Sequence, residues 1–195
     1  MRADRIWFHV SLILLIGGLC PGCVGKGRDA DSSPRANARP GEFWLASPDP
    51  NEGTIEYLDA KFGFRNLKFG SSVQSGMELA KEQDHELTKT YVFPGESLDA
   101  GGAKLAGIRY VYYSNRLISV IIETEGQRNS RALVEELQAA YGSTAREGAV
   151  VQTWPGELIV LSYAEQPRGD ATTVIWSRAH MAPVVREQRA RALAK

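Results

Sequence analysis

The sequence predicts an α+β fold in which two successive helix-plus-three-strand units form antiparallel sheet and pack their helices on one sheet face. Two observations support this fold class. The order helix, strand, strand, strand occurs over residues 71–126 and again over residues 129–177. Within each unit, short polar or Pro-Gly breaks separate the β-rich runs, as is typical of antiparallel hairpins. A helix followed by an antiparallel meander can cover one face of that meander with its apolar stripe.

Apolar residues cluster just ahead of the first unit, between Ile55 and Phe69. Their spacing predicts a short helical turn that ends at Gly63. Phe64 and Leu67 are then expected to enter the core, together with Phe69.

The first unit is predicted to start with a helix capped by Ser71 or Ser72, because a serine hydroxyl can accept a hydrogen bond from the amide groups of a first turn. Val73, Met77 and Ala80 then fall on one apolar stripe, which is typical of a helix that covers a sheet.

A strand over 87–93 and a β-hairpin over 106–126 complete the first unit. A three-residue loop, 114–116, gives the hairpin one apolar face, whereas a two-residue loop mixes polar and apolar side chains on both faces. We therefore expect the three-residue loop. The predicted apolar face carries Ile108, Tyr110, Tyr112, Ile118, Val120 and Ile122. The opposite face carries Arg109, Val111, Tyr113 and Leu117.

The second unit contains the strongest predicted helix, which Asn129 caps and Gly142 ends. Leu133, Leu137 and Ala140 form its buried stripe.

Three predicted strands follow this helix, over 149–154, 158–163 and 171–177. Pro155-Gly156 predicts the first turn between them, because proline and glycine each supply one of the backbone angles of a tight turn. The second connection contains Arg168-Gly169-Asp170, which we interpret as a turn.

The N-terminus has the parts of a secretory signal: two arginines, an apolar stretch over 6–19 and a cysteine-containing end. The apolar stretch is shorter than the about 20 residues that a membrane-spanning helix needs. Gly22 before Cys23 resembles the acylation site of bacterial lipoproteins, which predicts a signal peptide over 1–22 and a lipid on Cys23. Simple cleavage and an uncleaved anchor are the alternatives.

The rest of the chain divides into a disordered tether that follows the lipidated cysteine over 23–52, one α+β domain over 53–182, and a basic tail over 183–195. We expect this tail to be solvated and partly helical; a basic helix that lies on anionic lipid headgroups is the alternative. The tether is rich in Pro, Gly, Ser, Asp and Arg, and such a composition buries too little apolar surface to offset the entropy of ordering. Both cysteines precede the domain, so no disulfide holds it. The 23 basic and 23 acidic residues cancel, which argues against nucleic acid as a partner.

Three short phrases carry a likeness to a known family: Phe69-Gly70-Ser71, Arg109-Tyr110-Val111-Tyr112 and Tyr141-Gly142. Together with the tandem order of elements, they resemble the family that includes the SmpA/OmlA-type outer-membrane assembly lipoproteins and the secreted β-lactamase inhibitory proteins. The resemblance implies an antiparallel α+β binding scaffold. It implies no particular functional residue.

The sequence favours binding over catalysis. The predicted domain has no hydrolase elbow, phosphate-binding loop, dinucleotide-binding, zinc or calcium motif, so we predict no catalytic residue, no metal site and no cofactor. Asp84-His85-Glu86 places a histidine among carboxylates, but a solvated helix end explains this cluster.

Aromatic side chains are enriched at the energetic centres of protein interfaces. With the second face of the hairpin, they define a predicted interaction surface of Arg109, Tyr113, Leu117, Trp154 and Trp176. We expect an exported, non-catalytic lipoprotein of the cell envelope or periplasm, which is held to a membrane by Cys23 and binds an envelope protein or component. The alternatives are a secreted inhibitory or ligand-binding domain that acts on a soluble enzyme, and a hydrolase without a recognisable motif.

Overall fold

The computed structural model describes residues 52–80, 87–144 and 150–193. Within these ranges the helices are α1 (Ile55–Lys61), α2 (Gly126–Tyr141) and α3 (Arg178–Leu193). The strands are β1 (Gly63–Phe64), β2 (Leu67–Lys68), β3 (Glu78–Leu79), β4 (Thr88–Val92), β5 (Asp99–Ala100), β6 (Ala103–Tyr113), β7 (Arg116–Thr124), β8 (Val151–Pro155), β9 (Ile159–Glu165) and β10 (Ala171–Ser177). None of the helices in these ranges has the length and apolar character that a membrane span needs.

Several predicted features lie outside the described residues. These are the signal peptide over 1–22, Cys23, the tether up to residue 51, and the cluster Asp84-His85-Glu86.

One main antiparallel sheet organises the domain, with the strand order β3-β4-β6-β7-β10-β9-β8 and the short β5 paired to β6. The two meanders share this sheet because β7 pairs antiparallel with β10. The strands β1 and β2 form a separate two-stranded hairpin. The antiparallel α+β fold that the sequence predicts is therefore confirmed.

The inner face of the sheet packs against α1 and α2 and contains the main core. Leu133 and Leu137 of α2 are fully buried there, as the apolar stripe predicts. Burying a leucine side chain contributes about 2 kcal/mol each, so the stripe is a large part of what holds α2 in place. The rings of Tyr57 in α1 and Tyr141 in α2 lie 6.0 Å apart and join the two helices.

The predicted helix over residues 71–80 is wrong. This segment consists of turns and extended backbone, with only Glu78–Leu79 (β3) in regular structure. Gly76 adopts a φ of 88°, which a right-handed helix does not contain, and glycine is a poor helix former. Met77 does reach the core, where its sulfur lies 3.4 Å from the Tyr112 hydroxyl. The described part of the first unit, residues 71–80 and 87–124, therefore contains no helix, and α1 from upstream packs beside α2.

The hairpin β6–β7 is confirmed, but its predicted three-residue loop is wrong. Tyr113 pairs with Arg116, which leaves a two-residue loop of Ser114 and Asn115. Their φ values are 47° and 63°, as a type I′ turn requires.

A β-bulge at Ile118 keeps the hairpin's apolar side chains on one face despite the short loop. Tyr112 pairs with Leu117 and Val111 pairs with Ser119, so Ile118 is the extra residue between them. Leu117 consequently faces the core, and Ile118 is buried outside the main core cluster.

The helix α2 begins at Gly126, ahead of the predicted cap Asn129. The Gly126 N–H donates to the Asp170 carboxylate at 2.9 Å, so the loop before β10 supplies the missing cap. The tripeptide 168–170 is thus a turn, as predicted, with its acidic side chain engaged by α2. Gly142 follows the helix as predicted, with a φ of 81°.

The helix α3 was not among the helices that the sequence places on one sheet face, and it includes residues 183–193 of the predicted tail. The helix continues directly from β10 and contacts β7 and β10. Val184 is its buried residue, and the Tyr113 hydroxyl donates to the Glu187 carboxylate at 2.6 Å. Because Tyr113 alternates with the core residue Tyr112, α3 crosses the outer face of the sheet, opposite α1 and α2.

Asp59 ties α1 to the turn between β8 and β9. Its carboxylate accepts hydrogen bonds from three consecutive backbone N–H groups, those of Glu157, Leu158 and Ile159, at 2.6, 2.9 and 2.8 Å. A side chain at Gly156 would place its Cβ 2.5 Å from the same carboxylate, so glycine is required in this turn.

We predict that Asp59→Ala lowers the free energy of unfolding by about 3 kcal/mol, because three donors lose one charged acceptor. Urea denaturation of the full chain measures the change. Glu56→Ala is the control, since Glu56 is exposed on the same helix, and it should stay within about 0.5 kcal/mol of the wild type. Equal losses in the two variants would contradict the role of Asp59.

Buried tyrosines predict an alkaline limit to stability. Burial raises the pKa of Tyr112 from its ordinary 10.0 to about 12, chiefly because the charged form is poorly solvated. Since the unfolded chain ionises first, the stability that Tyr112 provides is complete below pH 10 and is lost as the pH rises through 12.

Thermal unfolding at a series of pH values should therefore show a falling midpoint over that interval. Tyr112→Phe should fall less steeply than the wild type, and parallel curves for the two proteins would contradict the assignment.

Candidate interaction face

The structure removes two residues from the predicted interaction surface. Leu117 is 0% exposed and Trp154 is 2% exposed, and both belong to the core cluster. The bulge at Ile118 turns Leu117 inward. Trp154 lies on the inner side of β8, where its indole N–H donates to the Gly142 carbonyl at 2.7 Å. Neither side chain can contact a partner without unfolding.

The other three predicted residues, Arg109, Tyr113 and Trp176, lie half-buried on the outer face. Two of them form the surface on which α3 packs. The guanidinium of Arg178 lies 5.8 Å from the Trp176 ring centre, and the hydrogen bond to Glu187 raises the pKa of the Tyr113 phenol. Tyr113 and Trp176 therefore hold α3 rather than a partner.

The part of the outer face beside α3 includes a row of side chains across five neighbouring strands. We name this row the open band; it comprises Arg109, Ile121, Val174, Ser162 and Thr153, each the direct cross-strand neighbour of the next. The first four are half-buried and Thr153 is exposed. The helix α3 contacts the sheet toward the ends that hold Tyr113 and Trp176. The open band is thus a flat surface of mainly short or β-branched side chains.

Arg109 supplies the charge at one end of the open band. Its guanidinium forms an ion pair with Glu123 at 2.5 Å. Its Nε–H is buried and has no hydrogen-bond partner among the described residues. A buried donor without an acceptor costs about 1–3 kcal/mol, so this ion pair stabilises the sheet less than its short distance suggests.

At its other end, the open band reaches the edge of the sheet at β8. The Glu165 N–H donates to the Val150 carbonyl at 2.8 Å, which places the backbone groups of residues 150, 152 and 154 toward β9. The alternate residues Val151 and Thr153 therefore direct their N–H and C=O groups away from the sheet. No strand of the described chain pairs with β8 on that side.

The edge β8 also lacks the usual protection against pairing. Natural edge strands carry charges, prolines or bulges that block the addition of another strand. Of the five residues of β8, none is charged, and the proline stands at the end, at Pro155. Val151 is 53% exposed beside this edge. The opposite edge strand, β3, has only two residues and includes Glu78.

A serine and a histidine meet at the start of α3, but their geometry does not suit nucleophilic catalysis. The Ser177 hydroxyl lies 3.0 Å from Nδ1 of His180. Ser177 is 0% exposed, whereas a nucleophile has to reach its substrate. The His180 ring packs against Phe62, with centres 6.1 Å apart. The pair therefore fastens the first turn of α3 to the core.

A second polar cluster joins Arg65, Glu96 and Tyr110. The Arg65 guanidinium lies 2.6 Å from the Glu96 carboxylate, which also accepts a hydrogen bond from the Tyr110 hydroxyl. Burial and this hydrogen bond raise the pKa of Tyr110, so the phenol stays protonated. The cluster fixes the loop that carries Glu96 to the β1–β2 hairpin. Elsewhere in the described ranges, no three potential metal ligands come together.

Sequence reasoning missed most of the open band and the free edge. The alternation of Val151 and Thr153 with buried Gln152 and Trp154 was available as a signal for an outward-facing row. No local signal predicts that β8 lies at the sheet edge, because that position follows from the pairing of β7 with β10.

Comparisons of the chain with protein-family models, with curated proteins and with solved structures find no match. The open band and the β8 edge are therefore interpreted from their own geometry.

Proposed function

We propose that this protein is a lipid-anchored, non-catalytic protein of the cell envelope that binds an extended segment of a partner protein along the edge of β8. One observation supports this function above all others: an uncharged edge strand presents free backbone donors and acceptors next to the open band. An added strand would pair with these groups, as in the known recognition of peptides by strand addition.

The chemistry of the edge limits what the partner segment can be. Val151 and Thr153 each offer one N–H and one C=O, so a bound strand gains up to four main-chain hydrogen bonds from this pair of residues. Its side chains on the outer side would continue the open band beside Thr153, which favours short or β-branched residues there.

The anchoring part of the proposal rests on the sequence. Cys23 follows Gly22 and an apolar signal-like stretch, and acylation of this cysteine would hold the domain at a membrane. The binding part rests on the geometry of β8, so the two parts have separate tests.

Growth of producing cells with radiolabelled palmitate tests the anchor. We predict that the wild-type protein and Cys20→Ala incorporate label and that Cys23→Ala does not. Cys20 is the matched control because it is the other cysteine of the chain. An unlabelled wild type, or equal labelling of Cys23→Ala, would contradict acylation at Cys23.

Thr153→Pro tests strand addition at β8. This change removes the outward N–H without removing a hydrogen bond to β9, and proline is tolerated where an edge N–H faces solvent. A photo-reactive residue placed at Val151 in the full chain, in producing cells, should give one discrete adduct. We predict that Thr153→Pro lowers its yield about tenfold, since one main-chain bond and the edge geometry are lost, while Thr153→Val keeps it.

The same photo-reactive residue at exposed Glu135 on α2 is the positional control and should not give this adduct. Thr153→Lys is a second variant that blocks the edge with a charge. The thermal unfolding midpoint of each variant shows whether it remains folded. An adduct that survives both Thr153→Pro and Thr153→Lys in folded proteins would overturn binding at β8.

A further inference from the structure

The outward surface of α3 is distinct from the open band and from the β8 edge. Val184 and the Tyr113–Glu187 contact define the side of the helix that faces the sheet. The residues on the remaining side are exposed; they are Arg178, Ala179, Ala182, Arg186, Arg189, Ala190 and Leu193.

This surface carries charge of one sign. At about 100° per residue, Arg178, Arg186 and Arg189 fall within an arc of about 80° of the helix circumference. They extend over roughly 16 Å of its length. Glu187, the only acidic residue of α3, lies at least about 100° from each of them. Its carboxylate is engaged by Tyr113 and Arg191.

Two of the arginines are available to a ligand. Among the described residues, Arg186 and Arg189 form no salt bridge with a carboxylate. Arg178 is engaged with the domain, since its Nε–H donates to the Gly156 carbonyl at 3.0 Å and its guanidinium lies near the Trp176 ring, so it contributes its charge to this surface. On this side of the helix the neighbouring residues include the short Ala182 and Ala190, which do not obstruct a flat surface. Leu193, at the end of the helix, is 89% exposed.

We infer that this arginine face of α3 binds the phosphate groups of anionic phospholipids at a membrane surface. Guanidinium groups form paired hydrogen bonds with phosphate oxygens, and each basic residue near an anionic membrane adds to the attraction. Exposed Leu193 can enter the headgroup boundary at one end of the face.

The choice of a membrane over another polyanion rests on the proposed anchoring at Cys23. A protein held at a membrane meets lipid phosphates at a high effective concentration, so even a weak face is occupied. The lipid contact itself does not require acylation, and the test below therefore uses a chain that cannot be acylated at this position.

The test is flotation of the full chain carrying Cys23→Ala with two kinds of vesicle. Pure phosphatidylcholine vesicles report any association through the apolar N-terminal stretch. Vesicles that also contain phosphatidylglycerol report the added contribution of anionic phosphate. We expect stronger binding to the anionic vesicles, and we expect added salt to remove the difference.

Substitution of two arginines locates the contact. Arg186→Gln with Arg189→Gln should weaken binding to the anionic vesicles about 30-fold, to near the phosphatidylcholine level. Arg128→Gln with Arg131→Gln is the matched control, because these exposed arginines have the same spacing on α2, which covers the opposite face of the sheet. The control should bind as the parent chain does.

Three results would overturn the inference. These are equal binding of the parent chain to both kinds of vesicle, an unchanged affinity in the α3 variant, and an equal loss in the α2 control. Tighter binding to a single-stranded oligonucleotide, lost in the α3 variant, would reassign the face to nucleic acid. Failure of palmitate labelling together with intact vesicle binding would refute the anchor and leave the lipid face standing.

Discussion

The bulge at Ile118 is the constraint on which the two faces of the sheet depend. In a strand pair without a bulge, directly paired residues face the same side of the sheet. With a two-residue loop, the apolar side chains of β6 would then face one side and most of those of β7 the other. The extra residue restores the phase between β6 and β7, the two central strands that carry the inner core. It also turns Ile118 itself outward, to the side that α3 covers. One inserted residue thus places the apolar side chains of both strands in the inner core and adds one apolar side chain, Ile118, to the outer face.

The two faces of the sheet are covered by helices to different extents. The inner face is covered by two helices, and polar contacts such as those of Asp59 fix these helices to distant loops. The outer face is covered by α3 over only part of its width, and the open band remains beside it. Binding surfaces commonly lie where a stable scaffold leaves ordered side chains without a covering layer. Here the stability comes from the inner face and the proposed recognition from the outer one.

The elements that were predictable from sequence are those in which one local pattern decides the structure. The stripe of Leu133 and Leu137 specifies α2, and the turn-bounded β-rich runs specify β9 and β10. The predictions were wrong where distant contacts or an unusual backbone conformation determines the structure. Gly76 breaks a stripe that looks helical by spacing alone. Pro183 looks like a boundary, yet α3 passes through it because its neighbours pack on the sheet. The candidate site could be predicted only in part, since side-chain alternation gives the outward residues but strand order is needed to place β8 at an edge.

The direct passage from β10 into α3 has a consequence for the order in which the domain is completed. All the strands and both inner helices precede α3 in the chain, so the inner core can close before the last helix is available. Until this last segment docks, Ile118 and Val160 stay uncovered. A chain in which α3 has not yet docked would carry a closed inner core and an apolar patch on its outer face. That patch is the part of the domain most exposed to aggregation before folding is complete.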